Sequence, residues 1–296
     1  MPEAMRISRP PVPALRPFAK TVWAIDERED PCSGRERVLP TGAMHVVFRL
    51  SETPLRVYDR PDAAVAHAVG CAIVGGVRST FYVRDVSLPV RSVGAQLHPG
   101  TASLLFGAPA GALAEKHTAL EDLWGSAAAD ARGRIAQAGS LDRQLAAFES
   151  ILASRLPRVR AIHPAVAEAL ELFAGDAEVG EAVRRSGYSH RRFIQLFREA
   201  VGLTPKVFAR VTRFQRLLDS SMMGERASRA RLALDAGYSD QPHFNREFRA
   251  FAGISPGRYR QLPLTGSNHV MIPGSFASPC PCGEVKSVQD RRRGRR

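Results

Sequence analysis

The chain has 296 residues, 44% of them hydrophobic and 24% charged, which suits a globular protein with two domains of ordinary size. No apolar run approaches the roughly 18 residues of a membrane span. The Pro-rich start lacks the apolar core of a secretory signal, and the four scattered cysteines (Cys32, Cys71, Cys280, Cys282) make no disulfide framework, so a cytoplasmic location is expected.

Residues 1–16, rich in Pro and Arg, read as an extended arm. From residue 17 to about 123 short apolar runs alternate with Gly, Pro and Asp. Segments 45–50, 55–58, 71–74, 80–83 and 92–97 are rich in Val, Ile, Phe or Tyr and are predicted strands of a small antiparallel barrel or sandwich. A brief helix is predicted over 101–106. A longer one is predicted over 141–156, where Leu141, Leu145, Phe148 and Leu152 share a stripe. It is expected to pack on the β domain or on a second subunit. Pro157 ends it, and 158–164 reads as the junction between domains, which gives a first domain over 17–157.

The formal net charge of +13 is uneven. Residues 1–157 hold 18 Lys+Arg against 16 Asp+Glu, leaving 24 against 13 for residues 158–296. A polyanionic partner is therefore expected for the second half, with counterion release supplying much of the affinity.

That half says nearly the same thing twice. Gly187-Tyr188-Ser189 precedes Phe193 and Phe197, then Gly202 and Pro205; Gly237-Tyr238-Ser239 precedes Phe244 and Phe248, then Gly253 and Pro256. Each copy predicts a helix-turn-helix. A helix ends at Gly187 or Gly237, where a left-handed residue is cheap, and Ser189 or Ser239 can cap the next. Phe193, Phe197 and Val201, like Phe244, Phe248 and Ala252, fall on one buried face. The opposite face carries Arg191, Arg192, Gln195 and Arg198 in the first copy, and Gln241, His243, Asn245, Arg246 and Arg249 in the second. These side chains suit base edges and phosphates. Between the copies, Thr204 caps and Pro205 opens a linker helix over 205–220, with Val207, Val211, Phe214 and Leu218 as its apolar stripe.

On these residues, above all the second copy from Asp235 to Tyr259, the stretch of about 161–260 resembles the DNA-binding domain of AraC/XylS-type transcription regulators. The resemblance implies double-stranded DNA as partner and RNA polymerase as a candidate one. Carried over, it implies base readers at Arg191, Gln195, Gln241, His243, Asn245 and Arg246. Ser189, Arg192, Arg198, Ser239 and Arg249 are the expected phosphate contacts. The DNA-binding domain is placed at 158–262, with 263–296 as a basic, flexible tail.

The first half is similar to the cupin-like sensory domain that precedes one subgroup of these regulators. The likeness lies in Arg16-Pro17-Phe18, Glu36-Arg37-Val38-Leu39-Pro40-Thr41-Gly42, Val93 to Gly100 and Leu120 to Gly125. It implies a β-barrel able to take a small-molecule effector. The expected fold is therefore α+β in two domains: a cupin-like antiparallel barrel or sandwich with flanking helices, then an all-α domain of two helix-turn-helix units on a linker helix.

No cofactor, metal or catalytic residue is expected. There is no His-x-His, and His45, His67, His98 and His117 lack ligand spacing and read as surface or turn histidines. Asp85, Glu115, Glu121 and Asp122 are not placed in acid/base pairs. Trp23 and Trp124 are expected to pack in the barrel, with lining an effector cavity as the alternative. Cys280 and Cys282 read as free thiols, with zinc binding or redox sensing as the alternative. A DNA-repair enzyme fused to the same DNA-binding domain is the competing function. Its Pro-Cys-His-Arg motif is absent at all four cysteines. The expected state is monomer or homodimer.

Overall fold

The computed structural model describes residues 5–26, 34–157, 161–221, 240–266 and 268–273. Among them the β domain is built of two six-stranded antiparallel sheets. Its strands are β1 (Met5–Arg9), β2 (Ala19–Asp26), β3 (Arg35–Val38), β4 (His45–Arg49), β5 (Arg56–Tyr58), β6 (His67–Ala68), β7 (Ala72–Gly75), β8 (Tyr82–Asp85), β9 (Arg91–Leu97) and β10 (His117–Ala119), with β11 (Leu264–Gly266) and β12 (His269–Met271) added from the far end of the chain. The first sheet runs β1-β2-β9-β4-β7-β10 and the second β11-β12-β3-β8-β5-β6.

Alternation along the first sheet decides which side is core. Val22, Ala24, Val46, Phe48, Val74, Val93 and Ala95 are fully buried and face helices. These are α1 (Ala102–Phe106), α2 (Ala110–Leu113), α3 (Glu121–Trp124), α4 (Ser126–Gln137) and α5 (Leu141–Ser154). Phe48 meets Phe148 of α5 at 6.0 Å and Trp124 of α3 at 6.4 Å between ring centres. The long helix expected over 141–156 thus packs on the β domain of its own chain, capped by Ser140, which accepts from the Arg143 N–H. The residues one step out of phase, including Thr21, Trp23, His45, Arg49 and Gln96, point between the two sheets and line a cavity.

Two expected boundaries are corrected. The N-terminal arm is an edge strand: Met5–Arg9 pairs with β2, and Arg9 bonds buried Glu149 of α5 at 2.5 Å. The basic tail begins with a hairpin, since β11 pairs with β12 and β12 with β3. Runs as short as Leu264–Gly266 and His269–Met271 carry too little pattern to announce strands, and the β3 partner of His269–Met271 lies more than 220 residues away in sequence. Cys280, Cys282 and the terminal Arg run lie outside the described residues.

The helical domain contains α6 (Pro164–Ala174), α7 (Val179–Ser186), α8 (His190–Val201), α9 (Pro205–Ser221), α10 (Gln241–Ala252) and α11 (Pro256–Tyr259). The first helix expected for the second copy, with Gly237, lies outside the described residues. The linker helix α9 holds an aromatic cluster for each unit. Phe208 packs against Phe173 and Phe197 at 6.3 and 5.6 Å, and Phe214 packs against Phe248 and Phe251 at 5.3 and 5.0 Å. Phe208, rather than the expected Val207, anchors the first half of the stripe, because Val207 is only partly buried.

Candidate nucleic-acid interface and β-domain cavity

In the first unit α7 stops at Gly187, whose φ of 69° is left-handed, and Ser189 accepts from the Arg192 N–H to start α8. In the second unit the cap is Asp240, not Ser239: its carboxylate accepts from the His243 N–H at 2.6 Å. The sequence contains the reason. Phe193 lies six residues after Gly187, but Phe244 lies seven after Gly237, so the second copy carries one extra residue. Counting back four from each Phe aligns Ser189 with Asp240.

That register re-pairs the two exposed faces. At about 100° per residue, Arg191, Gln195 and Arg198 sit at the centre of the exposed face of α8, and Pro242, Arg246 and Arg249 at the matching positions of α10; all six are exposed. Gln241 and Asn245 lie on one flank of α10, and His243 on the other. His243 and Arg246 also line a groove with Lys206 and Arg210 of α9 and Gly180 of α7. The structure therefore does not bring the six expected base readers onto a single stripe. Arg198 and Arg249, expected at phosphates, share the central stripe with them. Gln195 Nε2 donates to Glu199 at 2.9 Å. Ser239 lies outside the described residues.

Ion pairs hold both units to the linker helix. Arg210 pairs with buried Glu247 of α10 and lies over the Phe251 ring at 5.3 Å. Arg216 pairs with Asp176, at the turn before α7, at 2.6 Å. The first unit also abuts the β domain. Gly202, left-handed at φ 97°, leaves no room for a Cβ, which would lie 2.6 Å from Val77 Cγ1 and 3.1 Å from the Ala110 carbonyl oxygen.

The cavity between the sheets measures about 620 Å³. Two histidines read from the sequence as surface or turn residues, His45 and His117, line it, because each falls at an inward position of its strand. Burial, followed by the nearby charges of His269 and Arg84, pushes His45 down to about 4. Burial and the Arg78 and Arg84 guanidiniums push His117 down to about 3, so both rings are neutral at pH 7. His67 is exposed beside Asp59 at 3.1 Å, and burial lowers His98. Trp23 lines the cavity and meets His45 edge-on at 6.1 Å, whereas Trp124 is core.

Glu36 sits in the cavity wall. Although burial raises its pKa, Arg84 and His269 outweigh that and bring it down to about 2. Its carboxylate pairs with Arg84, takes a 2.8 Å bond with His269 Nδ1 and accepts from Thr265 at 3.1 Å. Thr265 and His269 belong to the C-terminal hairpin. Asn268 at the tip of that hairpin accepts from Gln215 Nε2 of the linker helix at 2.8 Å. One hairpin therefore touches both the cavity wall and the reading domain. Among the described residues no group of three or more His, Cys, Asp or Glu is placed to hold a metal, and no helix is long and apolar enough to cross a membrane.

Two family profiles match. One, described as a helix-turn-helix domain, covers residues 166–262; the other, a domain of unknown function (DUF6597), covers residues 8–119. No curated protein matches the chain. Among solved structures, apo ToxT, as a variant from Vibrio cholerae strain SCE256, is similar at a TM-score of 0.43 and 9% identity, over 86% of this chain and 96% of that one. ToxT of the same strain with unsaturated fatty acid bound gives 0.42 and 9%, over 88% and 96%. The chain thus joins a DUF6597 domain to an AraC-type helix-turn-helix domain, and it is a DNA-binding transcription regulator.

Proposed function

We propose that α8 and α10 enter successive major grooves and read different bases. The observation that carries this is that the same helical register exposes Arg191 and Gln195 on α8 but Arg246, flanked by Gln241, Asn245 and His243, on α10. Arg suits the O6 and N7 of guanine, and Gln or Asn the N6 and N7 of adenine. Ser189, Arg192, Arg198, Ser239 and Arg249 take phosphates, which fix position without specifying sequence. The working units are residues 17–157 with the edge strand before them, and 158–262; the hairpin that follows belongs to the first. The chain acts in the cytoplasm by binding rather than catalysis, with RNA polymerase as the partner for its output.

The β-domain cavity is the site of a small-molecule effector, and the hairpin is its route to DNA. Support comes from Thr265 and His269 meeting Glu36 in the cavity wall while Asn268 meets Gln215 of the linker helix. The test of the reading face is fluorescence anisotropy on a site selected from random DNA. Arg191→Ala or Arg246→Ala should each cost about 1–3 kcal/mol and relax specificity at one base pair. An equal loss on selected and random DNA would mean that these residues only hold phosphates.

A further inference from the structure

We propose that the cavity takes an organic carboxylate with a flat apolar body, its carboxylate bound by Arg78. This rests on reading the cavity as the effector site and names the chemistry of the effector. Both acidic side chains in the wall already have three partners each. Glu36 is held by Arg84, His269 and Thr265. Asp85 accepts from the Ser87 N–H and hydroxyl and from the Tyr58 hydroxyl. A sugar, whose hydroxyls need acceptors, meets no uncommitted carboxylate here.

Arg78 is in the opposite position. Its one side-chain hydrogen bond runs from Nη2 to His117 Nδ1 at 3.0 Å. Its Nε is buried with no partner, and it forms no ion pair among the described residues. Glu115 acts on this partly buried guanidinium only at a distance, without an ion pair, and a carboxylate is the planar anion that matches its fork. Because His117 accepts at Nδ1, its neutral ring carries hydrogen on Nε2, a second donor beside the guanidinium. Of the other guanidiniums that line the cavity, Arg84 is paired with Glu36, and Arg49 Nε donates to the Thr53 carbonyl at 2.8 Å.

The remaining wall suits a flat body. Arg78 lies over the Tyr82 ring at 4.8 Å, Tyr82 meets His117 edge-on at 4.5 Å, and Trp23 lines the same cavity beside His45. Val47, Leu55 and Ile73 add apolar surface. A volume of about 620 Å³ lies within the usual range for small-molecule sites.

The test is calorimetric titration of the full chain with indole-3-acetate, 4-phenylbutanoate and octanoate, each beside its primary amide, and with D-glucose. The expected result is that at least one acid binds about tenfold or more tightly than its amide. Arg78→Gln should weaken that acid by roughly tenfold to a hundredfold, a charge-assisted hydrogen bond's worth. The exposed control Arg60→Gln should leave it unchanged. Acids no tighter than their amides would overturn the assignment without relying on any variant, as would an Arg78→Gln protein that binds as before. Amides or glucose that bind and alter DNA affinity would leave the effector site standing and remove only the carboxylate. No binding by any probe would overturn both.

Discussion

Acidifying the protein from pH 7.5 to pH 5 should destabilise it by about 4 kcal/mol, before its carboxylates take part. The cause is the pair of cavity histidines. Each has an unfolded value of 6.5 and a folded one lowered by burial, to about 4 for His45 and about 3 for His117. A depressed value means that the folded state resists protonation. The stability is therefore complete above pH 6.5 and drains away as pH falls towards the folded values. At pH 5 the unfolded ring has gained a proton that the folded ring still refuses, at a cost of about 2 kcal/mol for each histidine. Glu36 is depressed from 4.5 to about 2 and acts in a separate window, below pH 4.5. Urea unfolding at half-unit pH steps gives the curve directly, and His45→Gln/His117→Gln should flatten most of it between pH 7.5 and 5. A smaller residual slope belongs to His98, which burial lowers in the same direction. A double variant that keeps the full pH dependence would refute the placement of these rings in the cavity.

Two substitutions test the reading domain. Gly202→Ala combines a left-handed residue with a Cβ 2.6 Å from Val77 Cγ1, and should cost about 2–5 kcal/mol in urea unfolding; a loss below about 1 kcal/mol would mean that α8 does not seat on the β domain as described. Asp240→Ala should cost about 1 kcal/mol through the lost cap of α10, while Ser239→Ala should be near neutral. The reverse pattern would restore the Ser cap.

Much of the helical domain was legible because its signals are local. A cap, a Phe every fourth residue and a terminal Gly lie within one or two helical turns, and α8 and α9 follow them closely. The error at Ser239 came from anchoring the repeat on Gly-Tyr-Ser instead of on the buried Phe residues, whose packing against Phe214 sets the register. The β domain was less legible. Strands 45–50 and 92–97 show apolar runs, but β2 lacks a clear polar face, because Thr21, Trp23 and Ile25 line the cavity opposite buried Val22 and Ala24. His45 reads as a surface or turn residue from the sequence because an inward polar position in a hollow sheet sandwich has the pattern of an outward one. The C-terminal hairpin was hidden by distance, since β12 pairs with β3 and short-range pattern carries no word of it.

The central claim, that one chain reads two different half-sites with two differently faced helices, is tested most directly by hydroxyl-radical and methylation footprinting on a site selected from random DNA. Two protected major-groove windows of different sequence are expected, centred about one helical turn, or roughly 10–10.5 base pairs, apart for each bound chain. One window alone, or two identical halves in inverted order with one per chain, would contradict it.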